Sequence, residues 1–274
     1  LLEQGGFYVI YEYINHSLSL QQCISVRADD ASMILINKLI TIIAQMHNAS
    51  IAQSDLHLNN FLLQGFLTKN SLAKKKESKS RIYTIDCGDI ETLSQSASKK
   101  DFQVYKNLGC FFSQLAIIYD QFLDDFVALY EKHAVLKYPL SRALLQDQIK
   151  RWRKRRSRKY LHKISRTCSE FIYTKNWQQM RVIKRKFSSR TWLDFYHSLD
   201  EIIESSVRLK DGNTATVCLA ECDGIKLVIK RYNIKNFRHY LGRFWRPSRA
   251  WYSWQNAHQL SVFGIKTPQP IAIV

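Results

Sequence analysis

The stretch of sequence that decides the fold is Gln53-Ser54-Asp55-Leu56-His57-Leu58-Asn59-Asn60-Phe61-Leu62-Leu63. It is followed downstream by Tyr83-Thr84-Ile85-Asp86-Cys87-Gly88-Asp89. In both stretches polar residues adjoin short apolar runs: Asp55 and Asn60 in the first, Asp86 in the second. Carboxylate and amide oxygens are ligands that Mg²⁺ accepts, and a carboxylate can also orient or deprotonate a hydroxyl. Asp55, Asn60 and Asp86 are therefore candidate residues for metal binding and for acid–base chemistry.

Local patterns around these stretches predict a mixed domain of helices and strands. Aromatic and β-branched residues indicate strands, and apolar residues at helical spacing behind a cap indicate helices. The predicted elements of this half are a buried strand over 7–14, a helix over 31–48, strands over 61–63 and 82–85, an exposed loop over 68–80 and helical spacing over 101–133.

The second half of the chain carries its own pattern. Residues 207–217 predict strand, tight turn and strand, with Gly212 in the turn. Asp223-Gly224 is a second turn signal and leads into an apolar run that ends at Lys230. Ser248 is placed to cap an amphipathic helix to Leu260, and residues 271–274 begin another strand. Residues 167–205 carry two weaker helical patterns, which indicate a connector.

The composition points to an anionic partner. The chain of 274 residues has a formal net charge of +18, which favours nucleotide, nucleic acid, a phospholipid surface or a phosphorylated glycolipid. Ten of the seventeen residues from Lys150 to Arg166 are Lys or Arg, with Trp152 and Tyr160 among them. This segment predicts either a solvated basic helix with docked aromatic residues or a surface helix that meets anionic head groups.

The cysteines and the apolar runs bear on the compartment. The six cysteines form no CxxC pair, which predicts reduced thiols and no zinc site. No apolar run reaches the roughly 18 residues of a membrane span, and no secretory leader is recognisable. We therefore expect a cytoplasmic protein, peripheral on a membrane if its partner is a lipid.

Taken together, the segments resemble the lipopolysaccharide core kinases of Gram-negative bacteria, a divergent branch of the protein-kinase-like fold. The Asp-to-Asn loop and the Asp-x-Gly turn have the layout of a kinase catalytic loop and its metal-binding turn. The further motifs that carry the resemblance are Lys230-Arg231-Tyr232-Asn233, Ser248-Arg249-Ala250-Trp251 and Gly264-Ile265-Lys266-Thr267-Pro268-Gln269-Pro270. The resemblance covers residues 1–130 and 206–274 better than the segment between them.

The resemblance implies roles for the residues of the first half. Asp55 would be the catalytic base or the carboxylate that orients the acceptor hydroxyl, with His57 as an auxiliary group. Asn60 and Asp86 would be Mg²⁺ ligands. One residue departs from the kinase pattern, because Gln53 stands where kinases usually place the His that braces the catalytic loop.

The resemblance also implies a nucleotide-covering lobe in the second half. Lys230 would neutralise the phosphates of ATP, and the turn formed by Gly212, Asn213 and Thr214 would cover them. Here the departure is Ser253, which stands where we expect the Glu that pairs with this Lys. Without that Glu, the sequence leaves Lys230 with no orienting partner.

The implied fold is α+β and bilobal, with the large helical lobe first in sequence and the small β-rich lobe last. The predicted domains are 1–165 for the hinge strand and large lobe, 166–205 for a helical connector and 206–274 for the small lobe. Two explanations fit this inverted order: a circular permutation, or a slice from two tandem kinase units. The sequence favours the tandem slice, since the first residue is Leu and the last lies within a predicted strand.

The leading hypothesis is a phosphotransferase with an alcohol acceptor, an ATP-dependent kinase acting on heptose or Kdo in the lipopolysaccharide inner core. Its partners would be the anionic glycolipid and the inner-membrane surface. A catalytically impaired pseudokinase or scaffold, and a protein Ser/Thr kinase, remain as alternatives. A nucleic-acid-binding protein ranks third, because no recognisable nucleic-acid module accompanies the basic charge.

Overall fold

A computed structural model describes residues 9–65, 80–176, 179–233 and 247–274 of the chain. The protein is α+β, with helices and several small antiparallel sheets, which confirms the expected class. It divides into two compact units, residues 1–153 and 154–274.

The first unit contains most of the helical residues. Its strands are β1 (Ser17–Ser19), β2 (Ile51–Gln53), β3 (Phe61–Gln64), β4 (Arg81–Thr84) and β5 (Ile90–Thr92). Its α-helices are α1 (Leu20–Cys23), α2 (Asp30–Asn48), α3 (Ala97–Phe112) and α4 (Leu123–His133), and α5 (Arg142–Lys163) starts here and continues into the second unit. Short 3-10 helices cover Leu58–Asn60, Cys87–Asp89 and Ile117–Phe122.

Helix α2 supplies the centre of the first unit's core. Its start is fixed by Asp29, whose carboxylate accepts a hydrogen bond from Ser32 N at 2.9 Å and so satisfies an amide of the first turn. The buried apolar residues of the helix recur at helical spacing and are Leu35, Ile36, Leu39, Ile40, Ile43 and Ala44. The helix predicted over 31–48 is thus confirmed.

Two antiparallel sheets hold the loops that carry the polar motifs. One has the strand order β1-β3-β4, with Phe61 opposite Thr84, and in the other β2 pairs with β5. The chain passes from the second sheet to the first through residues 54–60, and back again through residues 85–89. Because both loops bridge the same two sheets, they lie side by side. The predicted strands over 61–63 and 82–85 are confirmed as β3 and β4.

The helical spacing over 101–133 is interrupted in the structure. Helix α3 ends at Phe112, and α4 begins only at Leu123 after a 3-10 segment. Gln114 lies in the break and turns its side chain toward the backbone of Leu56 and Leu58. The apolar spacing continues through the break because Leu115 and Tyr119 are also buried, so the pattern alone could not reveal it.

The second unit contains two small antiparallel sheets and short helices. Its strands are β6 (Phe171–Lys175), β7 (Met180–Lys184), β8 (Arg208–Gly212), β9 (Ala215–Cys222), β10 (Ile225–Tyr232) and β11 (Ala272–Ile273). Its helices are α6 (Arg190–His197), α7 (Leu199–Ser205) and α8 (Arg249–Val262), with a 3-10 turn over Arg185–Phe187. The strand orders are β10-β9-β8 and β11-β7-β6.

The turns of the second unit follow their sequence signals. Asp223 and Gly224 both have positive φ, 52° and 71°, which is the geometry that a two-residue hairpin turn requires between β9 and β10. Ser248 caps α8 by accepting a hydrogen bond from Trp251 N at 3.1 Å. The predicted hairpins, helix and final strand of this half are therefore confirmed.

The segment over 166–205 differs from the predicted helical connector. Its first part forms the hairpin β6–β7, and only its second part is helical, as α6 and α7. The hairpin forms because β11 pairs with β7, and because Phe171 and Val182 are buried together with Trp254 of α8. These partners are remote in sequence, so a local pattern could not show them. The boundary between the units falls at residue 153, inside α5.

The buried strand predicted over 7–14 is not present in the described part of that range, residues 9–14. These residues form no strand, and residues 9–13 are exposed, with Ile10 93% accessible. A β-branched and aromatic segment becomes a strand only where another strand accepts its backbone groups, and residues 9–14 pair with none of the described strands. The predicted loop over 68–80 lies outside the described residues except for Ser80.

The six cysteines form no disulfide with one another. Among the helices that the structure describes, none combines the length and apolar character of a bilayer span.

The contact between α3 and α5 gives a first test of the packing. A Cβ at Gly109 would lie 2.6 Å from Gln148 Cβ and 3.1 Å from the Gln148 carbonyl carbon, closer than atoms can approach. We expect Gly109→Ala to lower the free energy of unfolding by about 1–3 kcal/mol, although Ala is the better helix former. Urea unfolding measures the change.

Gly88→Ala is the matched control, because no atom lies within 4 Å of the added methyl group. If Gly109→Ala were as stable as the wild type, the two helices could separate at no cost and the close contact would not constrain the core.

Candidate functional site

Two of the hydrogen bonds that hold the loop from Asp55 to Asn60 share one carbonyl acceptor. Asp55 O accepts from His57 N at 2.7 Å and from Asn60 Nδ2 at 3.0 Å. Because the amide nitrogen of Asn60 is used in this way, its side-chain oxygen is left as the atom that can accept a proton or bind a cation. The carboxylate of Asp55 is exposed at the other end of the loop.

Asp86 is brought next to this loop through the backbone. Ile85 N donates to Asn60 O at 2.8 Å, so Asp86 follows directly on the residue bonded to Asn60. Asp86 has φ 61° and ψ 56°, the left-handed region that few residues other than glycine enter. Such conformations cluster at functional sites. The exposed carboxylate of Asp86 therefore projects from a backbone that the surroundings hold in place.

Gln53 holds the Asp86 turn from inside the protein. Its side chain is fully buried, and Nε2 donates to Ile85 O at 3.0 Å and to Asp86 O at 3.3 Å. From the sequence Gln53 was a departure from the kinase pattern, because a bracing His was expected there. The side-chain amide makes a brace of its own by hydrogen bonding to the turn that carries Asp86.

A buried polar chain links Gln53 to three helices. Asn107 Nδ2 of α3 donates to Gln53 O at 2.7 Å, and Asn107 Oδ1 lies 3.0 Å from His47 Nε2 of α2. His47 Nδ1 in turn lies 2.7 Å from the hydroxyl of Tyr130 on α4. Sequence reasoning missed His47 and Asn107, since nothing in their local sequence marks them as polar core residues.

The chain of hydrogen bonds defines the state of His47. Asn107 uses its nitrogen for Gln53 O, so its oxygen must accept and His47 Nε2 must carry the proton. His47 Nδ1 then accepts from the Tyr130 hydroxyl. Burial lowers the pKa of His47 to about 4, assisted by the charge of Lys100 and opposed by the hydrogen bond with Asn107. Burial also raises the pKa of Tyr130. Both side chains are therefore neutral at physiological pH.

Two further residues shape the loop between Asp55 and Asn60. Gln114 donates from Nε2 to Leu56 O and accepts from Leu58 N at 2.9 Å, which fixes the middle of the loop. His57 caps the short 3-10 helix, with Nδ1 accepting from Asn59 N at 3.3 Å. Gln114 was not predicted, because its sequence neighbours indicate only a helix.

In the second unit the structure places Gly212, Asn213 and Thr214 at the hairpin turn between β8 and β9. Asn233, just after β10, holds this turn. Its backbone N donates to Thr214 O at 3.1 Å, and its side chain donates to Gly212 O at 3.1 Å. The strand end Lys230–Asn233 therefore fixes the turn as well as presenting the lysine, a role for Asn233 that sequence reasoning missed.

Lys230 lies opposite Val217 on the exposed face of the β8–β10 sheet. Its ammonium is 4.7 Å from the ring centroid of Tyr232, which is on the same face two residues later. Among the described residues no carboxylate is within ion-pair distance of Lys230. The neighbouring Arg231, by contrast, pairs with Asp200 at 3.2 Å and with Glu204 at 3.5 Å.

Ser253 of α8 interacts with Tyr232, not with an acidic residue. Burial alone would raise the pKa of Tyr232, but hydrogen bonds with Ser253 and Lys230, and the charges of Lys230 and Arg249, lower it overall. Lys230 therefore lies against the ring of Tyr232, and no carboxylate among the described residues forms an ion pair with it. A cation held over an aromatic ring keeps its full charge, which an ion pair would neutralise.

The structure therefore groups the predicted residues by unit. Asp55, His57, Asn60 and Asp86 come together in the first unit, and Gly212, Asn213, Thr214 and Lys230 lie in one sheet of the second. No group of three or more His, Cys, Asp or Glu side chains suited to a metal is present in the described part of the chain. Comparisons of the chain with protein-family models, curated proteins and solved structures found no match.

The buried His47 predicts a pH dependence of stability. Its pKa is lower in the folded protein than in the unfolded chain, so the unfolded chain binds more protons between about pH 6.5 and pH 4. Stability is therefore complete above this window and is lost as the pH falls through it. We expect His47 to account for about 1 kcal/mol per pH unit, measured by urea unfolding across the window.

His47→Gln should be less stable at neutral pH but should show a flatter profile, because the titrating group is gone. The exposed His162→Gln is the control and should keep the wild-type slope. An unchanged slope in His47→Gln would mean that His47 does not titrate on unfolding and that the buried chain is not as described.

Proposed function

We propose that this protein is a magnesium-dependent kinase that transfers the γ-phosphoryl group of ATP to a sugar hydroxyl of the lipopolysaccharide inner core, heptose or Kdo. The observation that carries the proposal is the convergence of the Asp55–Asn60 loop and the Asp86 turn, which hydrogen bonds hold side by side. The first unit would be the large lobe of a protein-kinase-like fold, and the second the small lobe.

The oxygen atoms available in the first unit suit Mg²⁺. The side-chain oxygen of Asn60 and the carboxylate of Asp86 are hard oxygen donors, which this ion prefers, and it commonly takes few protein ligands together with nucleotide phosphates. A bound Mg²⁺ would neutralise charge on those phosphates. The chain itself contributes rigidity: Asn60 is fixed by the Asp55 carbonyl, and the Asp86 turn by Gln53.

Asp55 supplies the remaining group that phosphoryl transfer needs. Its carboxylate is exposed, so an acceptor hydroxyl can reach it. In the proposed reaction the hydroxyl oxygen bonds to the γ-phosphorus, the bond from phosphorus to the ADP oxygen breaks, and the hydroxyl proton passes to Asp55. Fixing the loop through Gln114 and Asn60 keeps this carboxylate oriented, which is the main protein contribution in such reactions.

The second unit offers a surface that suits a nucleotide. Exposed Val228 and half-buried Val217 lie on the same sheet face as Lys230, so an apolar area adjoins a cation that no described carboxylate neutralises. An aromatic base and a triphosphate need that combination. Two contacts favour an active kinase over a pseudokinase. Gln53 braces the Asp86 turn although the expected His is absent, and the ring of Tyr232 contacts Lys230 although the expected Glu is absent.

The identity of the acceptor follows the sequence resemblance to lipopolysaccharide core kinases. The net charge of +18 favours an anionic acceptor such as a phosphorylated glycolipid. The carboxylate of Asp55 could accept the proton of a protein hydroxyl equally well. The acceptor is therefore identified by comparing the rates of phosphate transfer to purified core glycolipid and to protein substrates.

The proposal predicts that Mg·ATP stabilises the protein against heat. At about a hundred times its dissociation constant, a ligand should add roughly 2.7 kcal/mol. Asp86→Asn should abolish the shift, since it removes a metal-binding charge while Asn tolerates the left-handed backbone. Lys230→Met should abolish it as well if both units bind one nucleotide. Glu91→Gln, a nearby exposed carboxylate, is the control and should keep the shift.

A second measurement concerns transfer of labelled phosphate to the core glycolipid. Asp55→Asn should reduce turnover by about 10²-fold or more while leaving the Mg·ATP thermal shift intact. Undiminished transfer in Asp55→Asn would remove the proposed role of Asp55. A wild-type protein without any thermal shift would favour a scaffold over an enzyme.

A further inference from the structure

Large apolar side chains are exposed next to the basic helix α5. Val135 and Tyr138, in the loop between α4 and α5, are 83% and 68% accessible, and Leu144 in the first turn of α5 is 56% accessible. Their neighbours Leu136 and Leu140 pack against the core of the first unit. The loop therefore buries some of its apolar residues and presents others to the outside.

This loop is fixed at both ends by hydrogen bonds. The Asn48 side chain donates to His133 O at 2.8 Å and accepts from Val135 N at 2.7 Å. At the other end Leu140 N donates to the Glu131 carboxylate, and Ser141 N to the Tyr105 hydroxyl, both at 2.7 Å. The exposed side chains thus project from an ordered backbone, which reduces the entropy lost when they bind.

Helix α5 carries its exposed charges on one half of its surface. At 100° per residue, one half contains Leu144 and six exposed basic residues, and the opposite half contains the buried Leu145 and Ile149. We call this set of basic residues the α5 basic face; they are Lys150, Arg151, Lys154, Arg155, Arg158 and Lys159. Its one acidic residue, Asp147, pairs with Arg151 at 2.8 Å.

Two acidic residues, one before and one after α5 in sequence, form ion pairs with basic residues of the helix. Asp120 pairs with Arg153 at 2.6 Å, and Glu170 with Lys163 at 3.0 Å. Neither basic partner belongs to the α5 basic face. Even without Arg155, the face has five basic residues and one acidic residue, so its net charge beside the exposed Leu144 is positive.

We propose that the α5 basic face and the loop before it bind the surface of a bilayer that contains anionic phospholipids. The basic residues meet the head groups, and Val135, Tyr138 and Leu144 enter the boundary between head groups and acyl chains. Nucleic acid fits less well, because Trp152 and Tyr160 pack into the cores and cannot stack on bases, and apolar side chains gain nothing against a phosphate backbone.

Vesicle binding tests this inference without nucleotide, so its outcome is independent of the proposed kinase activity. The full chain is sedimented with vesicles of phosphatidylcholine alone, or of phosphatidylcholine and phosphatidylglycerol in equal amounts. We expect binding to the mixed vesicles only, with a component that falls as salt is raised.

Two sets of substitutions separate the parts of the surface. Lys150→Glu, Lys154→Glu and Arg158→Glu together should weaken binding by about a hundredfold or more, since each cation contributes about fivefold. The second set replaces the exposed apolar side chains: Val135→Ser, Tyr138→Ser and Leu144→Ser. Together these changes should weaken vesicle binding by about tenfold and remove the component of binding that persists at high salt. All six residues are exposed or at the surface, and circular dichroism confirms that the variants fold.

The control variant has the same change in net charge as the α5 variant, but at exposed residues outside α5: Lys99→Glu, Lys175→Glu and Arg190→Glu. It should bind mixed vesicles nearly as well as the wild type. Equal losses in the control and in the α5 variant would overturn the proposal, as would equal binding to vesicles without phosphatidylglycerol. Tighter binding to duplex DNA than to mixed vesicles at physiological salt, lost in the α5 variant, would assign the face to nucleic acid instead.

Discussion

The arrangement of the first unit depends on one buried chain of hydrogen bonds, from Tyr130 through His47 and Asn107 to Gln53 and the carbonyl of Asp86. Each member is neutral, and each donates a hydrogen bond toward the next, from the Tyr130 hydroxyl to the Asp86 carbonyl; a buried hydrogen bond is costly to break because water does not replace the lost partner. Three helices are thereby tied to the turn that carries the candidate metal ligand. The exposed carboxylates can be positioned accurately because the atoms behind them are buried.

In the second unit, too, neighbouring side chains contact the candidate residues, but these contacts lie nearer the surface. Asn233 holds the hairpin turn, and Tyr232 with Ser253 accompanies Lys230 on the surface of the sheet. Both units contain a residue that departs from the pattern expected from the sequence, Gln53 and Ser253. In the structure Gln53 hydrogen-bonds to the turn that carries Asp86, and Lys230 lies against the ring of Tyr232.

Local sequence signals predicted what local interactions determine. Asp29 and Ser248 mark helix starts because a side chain caps the backbone a few residues away, and Asp223-Gly224 marks a hairpin because both residues tolerate positive φ. The polar motif from Asp55 to Asp86 was likewise visible, since its residues lie on adjoining loops. What the sequence could not show depends on distant partners: Asn107 behind Gln53, β11 beside β7, and the lack of a described strand to receive residues 9–14.

The position of α5 limits how far the protein can be treated as modular. The boundary between the two compact units falls within this helix, and its side chains contact both cores, Leu145 and Ile149 one and Tyr160 and Leu161 the other. Cutting the chain at the boundary would leave residues 142–153 and 154–163 as separate helical ends, each near or below the roughly 12–15 residues at which an isolated helix is marginal. Each unit would keep its own core residues, but the cut ends of α5 would fray, so we expect the two fragments to be less stable than the same segments in the intact chain.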